Sequence, residues 1–226
     1  MLITISEVLT PEQVRDCQQA LLSAPWQEGK ETAGYLAQQV KTNLQLPIDN
    51  AIAQQVGAFL LHILNNNPSF VAAALPAKIL PPRFNCYQGG GTYGNHIDNA
   101  IFPLADTSQR LRTDVSSTLF LSDPDDYDGG ELVIEDTYGQ QSIKLNAGDM
   151  VLYPGTSLHR VNPVTKGRRF ASFFWTQSMV RQAHKRSMLW ELDQSIQRLA
   201  ASNASPSELA RLSGVYHNLL REWAEL

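Results

Sequence analysis

The chain has 226 residues, a formal net charge of −4 and a charged fraction of 18%. That length buries a full core, and the mild acidity gives no electrostatic footprint for nucleic acid or a membrane surface. Two cysteines, Cys17 and Cys86, are too few for a disulfide framework and read as reduced thiols, and no stretch has the make-up of a signal peptide or a transmembrane helix, so a soluble cytoplasmic protein is expected.

Residues 2–8 read as a short strand. Thr10-Pro11-Glu12-Gln13 then starts a helix, with Thr10 as cap, Pro11 in the first turn and Gln13 placed for a capping box. Val14, Cys17, Leu21 and Leu22 give it an apolar stripe, and Ala24-Pro25 ends it. Residues 26–43 are polar and interrupted by Gly29 and Gly34, which predicts a loop or ragged hairpin bordering a site. A second amphipathic helix is predicted over 49–64, stopping before Asn65-Asn66-Asn67-Pro68. Both helices are expected on the outside of a sheet.

From Ile79 the texture changes to short apolar runs separated by Gly, Pro and Asp. Strands are predicted at 79–88, 93–98, 116–122, 131–136, 141–145, 149–153, 158–162 and 168–176. Close spacing with no room for helices between them disfavours a parallel α/β fold and suggests a sandwich or jelly-roll barrel. Helical pattern returns over 178–200. Ser205-Pro206-Ser207-Glu208 then reads as a capping box opening a last helix to Trp223. The fold class is therefore mainly β with flanking helices. The expected organisation is a main domain over 1–177, with its barrel at 79–176, and a helical extension over 178–226. The last two helices carry more apolar residues than a barrel's outer face needs. A homodimer interface and simple packing on the barrel are both open readings.

His96-Ile97-Asp98 is the first stretch that carries chemistry. Residues i and i+2 of an extended strand share a face, so an imidazole and a carboxylate converge there. One further histidine would complete a two-His-one-carboxylate face, which suits a non-haem Fe(II) oxygenase. His62, His184 and His217 fall on predicted helices and read as packing or surface residues. Only His159 lies in the β region. Arg169 is the second informative residue. Its strand alternates Arg169, Ala171, Phe173 and Trp175 against Phe170, Ser172 and Phe174. If the first set faces inward, a guanidinium sits in an apolar barrel and needs an anion. That anion is either a ligand carboxylate or a protein acid such as Asp149. Gly89-Gly90-Gly91 lacks the Lys and Ser/Thr of a phosphate loop. The stretch from Asp123 to Gly129 imitates a calcium loop, but Ile134 stands where the bidentate Glu belongs.

His96-x-Asp98, then His159, then Arg169 ten residues later, resembles the 2-oxoglutarate- and Fe(II)-dependent oxygenases. Tyr87 before the glycine turn, Leu119-Phe120-Leu121-Ser122, Gly129-Gly130-Glu131-Leu132 and Ala147-Gly148-Asp149 are similar to the prolyl 4-hydroxylase-like branch. Length and the helical extension resemble the bacterial PKHD-type hydroxylases, which are associated with iron uptake. The catalytic resemblance covers about 79–176. It implies a double-stranded β-helix, with His96, Asp98 and His159 holding Fe(II). It further implies Arg169 on the distal carboxylate of 2-oxoglutarate, and Tyr87 adding a hydrogen bond there. O2 would be the oxidant, succinate and CO2 the co-products, and L-ascorbate the reductant that rescues over-oxidised iron. The prime substrate would be a peptidyl residue or a small molecule, with specificity set by loops 27–43 and 99–113. Two other readings use the same three ligands: a zinc hydrolase, which gives Arg169 no role, and a metal- or 2-oxoglutarate-binding sensor without turnover.

Overall fold

The structure, a computed structural model, describes residues 2–32, 39–104, 108–137 and 139–225. Parts of the two loops expected to set specificity, 33–38 and 105–107, lie outside the described residues. The strands are β1 (Ile3–Ile5), β2 (Gln27–Glu28), β3 (Lys41–Thr42), β4 (Leu44–Gln45), β5 (Pro76–Ile79), β6 (Arg83–Gln88), β7 (Gly91–His96) and β8 (Ile101–Pro103). They continue as β9 (Arg110–Arg112), β10 (Val115–Phe120), β11 (Tyr127–Gly129), β12 (Leu132–Asp136), β13 (Gly139–Ile143), β14 (Met150–Pro154) and β15 (Leu158–Ser178). The helices are α1 (Pro11–Leu22), α2 (Ala51–Asn65), α3 (Pro68–Ala74), α4 (Ala183–Ala201) and α5 (Pro206–Trp223).

Two antiparallel layers share one strand. The first runs β1-β14-β10-β15-β6-β4-β2, and the second places β12 and β7 against the other half of β15, with β13 and β3 outside them. This is the jelly-roll, double-stranded β-helix expected. Alternation sorts the side chains of the first layer. Phe84, Cys86, Leu119, Met150, Leu152, Phe170 and Phe174 face outward, where α1, α2 and α3 cover them with Leu21, Leu60, Leu64 and Phe70. Tyr87, Phe120, Val151 and Tyr153 face inward and meet Leu132, Ile134, Val161 and Val164 of the second layer.

The local signals at α1 hold. Thr10 Oγ1 accepts from the Gln13 amide at 3.2 Å, and Gln13 returns the bond to the Thr10 amide at 2.9 Å. Several expectations need correction. The strand expected at 79–88 is broken at Leu80-Pro81-Pro82, since proline offers no N–H to a ladder. The Asn-Pro after the second helix starts another one: Asn67 Oδ1 accepts from the Phe70 amide at 2.9 Å, and Pro68 occupies the first turn of α3. The box at Ser205 is not formed. Its hydroxyl pairs with that of Ser207 at 2.9 Å instead of capping α5. The two strands expected at 158–162 and 168–176 are one bent strand, β15, because β11 pairs with Gly129 opposite Val164 and Tyr127 opposite Gly167 across the polar gap. Gly129 and Gly167 both have positive φ, and an added Cβ at either would strike the facing backbone carbonyl, so only glycine fits this bend.

β15 keeps pairing with β5 through Ser178, so α4 begins only at Ala183, later than the pattern suggested. The extension is tied to the barrel from inside. Arg186 is buried and donates to the carbonyl oxygens of Val180, Arg181 and Asp114. Leu189, Tyr216, Leu219, Leu220 and Trp223 pack around Leu75 and Val180. A dimer through these helices would have to use Met188, Leu199 and Val215, the large apolar side chains they leave exposed. No helix among the described residues is long and apolar enough to cross a membrane.

Candidate metal and cosubstrate site

Two strands and the segment that follows one of them deliver the candidate ligands. His96 ends β7 and sits directly opposite His159 near the start of β15, so the ladder register itself joins the two imidazoles. Their rings are 4.1 Å apart between centroids. Asp98 lies two residues beyond the end of β7, not on the strand as expected, and its carboxylate still comes to the same point. Nε2 of His96 is 3.9 Å from Asp98 Oδ1, and Nε2 of His159 is 3.9 Å from Asp98 Oδ2. The donor atoms of the three residues all lie within 4.8 Å of one another.

Each ligand is held by a second group. Nδ1 of His96 lies 2.8 Å from the Gly94 carbonyl, and Nδ1 of His159 lies 3.0 Å from the Ser157 carbonyl. A carbonyl only accepts, so both Nδ1 atoms carry the proton and both Nε2 lone pairs face the shared point. The Ser116 hydroxyl donates to Asp98 Oδ2 at 2.7 Å. Such outer partners fix ligand orientation and raise basicity. Tyr93 stacks on His96 at 3.6 Å, and Tyr153 meets His159 edge-on at 5.0 Å. Burial first, then the neighbouring His159, push the His96 imidazole down to about 4. It is neutral near pH 7, the form a metal needs.

The same cavity, about 800 Å³ including its open mouth, is lined by these three residues and by Arg169 and Tyr87. Arg169 is 1% exposed. Its guanidinium lies 5.0 Å from the Phe120 ring and 5.5 Å from the Tyr87 ring. Among the described residues it has no ion pair, and none of its three nitrogens makes a hydrogen bond of good geometry; the Tyr127 phenol beside it is neutral and supplies no counter-charge. The protein acid weighed as its partner is engaged elsewhere: Asp149 Oδ1 accepts from the Glu7 amide at 2.8 Å. A buried cation with no counter-charge is costly, so the cavity is built to receive an anion. Tyr87 is opposite Arg169 in the β6–β15 ladder, and burial, opposed by the Arg169 charge, pushes its phenol up to about 12. It stays protonated and able to donate. The donor set and the orphaned guanidinium together fit Fe(II) and a dicarboxylate cosubstrate.

Sequence reasoning found both histidines, Asp98, Arg169 and Tyr87, and the structure places all five on one cavity. It missed Ser116, Lys41, Arg83 and Phe102. The signal for Ser116 was present in Val115-Ser116-Ser117-Thr118, a strand with small polar residues where an apolar core was expected. Burial first, with Arg83 adding to it, lowers Lys41 to about 8. Nothing local marks Lys41 or Phe102, which reach the cavity from two separate short strands, β3 and β8.

Comparison with known proteins agrees with this geometry. The 2OG-Fe(II) oxygenase superfamily matches residues 82–177, and the PKHD-type hydroxylase C-terminal domain matches residues 184–225. The chain is 57% identical over 225 residues to a PKHD-type hydroxylase of Delftia acidovorans, covering 100% of both chains. It is 57% identical over 226 residues to the PKHD-type hydroxylase PiuC of Pseudomonas aeruginosa, again over 100% of both. Among solved structures it resembles a Pseudomonas putida prolyl-4-hydroxylase, with TM-score 0.53 and 19% identity over 78% of this chain and 92% of that one. The carbocyclase SnoK from nogalamycin biosynthesis gives TM-score 0.57 and 14% identity over 80% and 82%. These two likenesses concern the fold.

Proposed function

The chain belongs to the PKHD-type hydroxylases of the 2OG-Fe(II) oxygenase superfamily, and from that premise we propose the roles of its residues and the outcome of turnover. The enzyme is a 2OG-Fe(II)-dependent hydroxylase, and its family implies Fe(II) and 2-oxoglutarate as cofactors. In our reading His96, Asp98 and His159 hold the iron, Arg169 pairs with the distal carboxylate of 2-oxoglutarate, and Tyr87 donates a hydrogen bond to that carboxylate. Bound iron with 2-oxoglutarate and O2 supplies the oxidation that converts a substrate C–H bond to C–OH, releasing succinate and CO2.

The protein's own part is positioning and exclusion of water. Gly94 and Ser157 carbonyls hold the imidazole protons on Nδ1, so that neither ring turns its donor away from the metal. Ser116 holds the Asp98 carboxylate. The guanidinium of Arg169, pressed between Phe120 and Tyr87, keeps a fixed fork for a carboxylate. The observation that carries the reading is this buried, unpaired Arg169 in the cavity of the His-Asp-His set. A zinc hydrolase leaves it without purpose.

The substrate in this proposal is a peptidyl residue or a small molecule related to iron uptake, and ascorbate keeps the iron ferrous. The test is a screen of peptides and of iron-chelating small molecules, read as O2 consumed and succinate formed, with and without ascorbate. Substrate-dependent succinate, matched by a product heavier by one oxygen, is expected. No succinate from any compound, with Fe(II) and 2-oxoglutarate bound, would favour the sensor reading.

A further inference from the structure

The cavity carries a second arginine that the cofactors leave idle. Arg83, Asn85 and Tyr87 alternate along β6 and all face the cavity. Arg83 is opposite Phe173, and Tyr87 is opposite Arg169. Four residues of strand separate the two arginines' positions, about 13 Å at the usual rise. Their guanidiniums also point to different ends. That of Arg169 lies on Tyr87 and Phe120, while that of Arg83 lies 5.4 Å from both the Phe102 and the Trp175 rings. Trp175 is opposite Ser116, the residue that holds Asp98. Arg83 is thus at the metal's level, at the far end of the cavity from Arg169 and its grip on the distal carboxylate.

Arg83 is half-buried and forms no ion pair or hydrogen bond with any described residue. Held against ring faces, a guanidinium presents its N–H edge to an incoming acceptor. The charge balance of the cavity points the same way. Leaving Lys41 aside, its charged lining is Arg83 and Arg169 against Asp98. A divalent iron and a dianionic cosubstrate cancel, so the loaded site keeps an excess of positive charge. Around Arg83 the wall is apolar: Phe102 from the β8–β9 hairpin, Phe173 and Trp175, backed by Leu80 and Leu111.

Resting on the cofactor roles above, we propose that Arg83 is the specificity-determining residue for a small-molecule substrate bearing an anionic group on an apolar, ring-sized body. The anion meets Arg83 at the mouth, and the ring lies along Phe102 and Trp175.

Matched probes test this in protein saturated with Mn(II) and 2-oxoglutarate, so that Arg169 and the metal are occupied. Binding of 2-naphthoate, 2-naphthamide and acetate is measured by calorimetry. Naphthoate is expected to bind at least about tenfold tighter than naphthamide, since hydrogen bonds to charged groups are the strong class. Acetate, lacking the ring, should bind more weakly than naphthoate. Arg83→Met should erase the preference for naphthoate, Arg83→Lys should keep part of it, and 2-oxoglutarate affinity should be unchanged in both. Equal binding of the two naphthyl probes by the wild type overturns the proposal, as does a preference that survives Arg83→Met. Loss of 2-oxoglutarate affinity in Arg83→Met would assign Arg83 to the cosubstrate instead. Failure of the wild type to bind 2-oxoglutarate at all would strike the cofactor reading, not this one, and the probes would then be compared in metal-free protein.

Discussion

Replacing Arg169 by methionine should move affinity and stability in opposite directions. The side chain is 1% exposed, and its guanidinium has no ion pair among the described residues. In the cosubstrate-free protein it is an uncompensated buried charge, and exchanging buried ions for apolar residues of similar size stabilises proteins by about 1–4 kcal/mol. At roughly 2–4 °C per kcal/mol for a chain of this size, Arg169→Met should melt several degrees above the wild type. In the complex the same change removes one side of a desolvated charge pair, costing on the order of 2–5 kcal/mol of 2-oxoglutarate binding. Arg169→Lys keeps the charge but loses the fork, so it should weaken binding less. Titration calorimetry of Mn(II)-loaded wild type and variants gives the affinities, and scanning calorimetry without 2-oxoglutarate gives the melting temperatures. Unchanged 2-oxoglutarate affinity in Arg169→Met, with a lowered melting temperature, would show that Arg169 serves the fold and would refute the anchor.

Ligand truncations come next. His96→Ala, Asp98→Ala and His159→Ala should each abolish high-affinity Fe(II) binding, and full iron occupancy in any of them after anaerobic loading would remove that residue from the set. Ser116→Ala frees the Asp98 carboxylate; iron affinity should fall by about 10–100-fold, the usual penalty for losing an outer partner, and wild-type affinity would deny it that role. The thiols of Cys17 and Cys86 are buried, and burial raises both to about 11. Native protein at pH 8 should therefore resist alkylation at both until it is unfolded, which mass spectrometry after brief iodoacetamide treatment will show.

What was legible in the sequence follows from range. Period-2 alternation on β15 correctly put Arg169 inward, because one face of that strand meets the helices and the other the second layer. Thr10 and Gln13 were legible because a capping box lies within four residues. The pairing of His96 with His159 is a register fact spanning 63 positions, and spacing alone could only suggest that the two meet. The continuity of β15 was hidden for the same reason. Its polar middle reads as a loop until β11 pairs with it. Lys41, Arg83 and Phe102 were missed because a cation or ring on a short strand has the same local pattern whether it lines a cavity or faces water. The Asn-Pro that opens α3 was local, and was overlooked because the preceding asparagines also mark the end of α2.

A single-turnover experiment tests the central claim most directly. Protein loaded anaerobically with Fe(II), one equivalent of 2-oxoglutarate and a compound that is hydroxylated in the substrate screen is mixed with O2, and succinate is counted per iron. Wild type should form succinate, whereas the zinc-substituted protein and Asp98→Ala should form none. Equal yields from the iron and zinc forms, or no succinate from fully iron-loaded wild type, would contradict it.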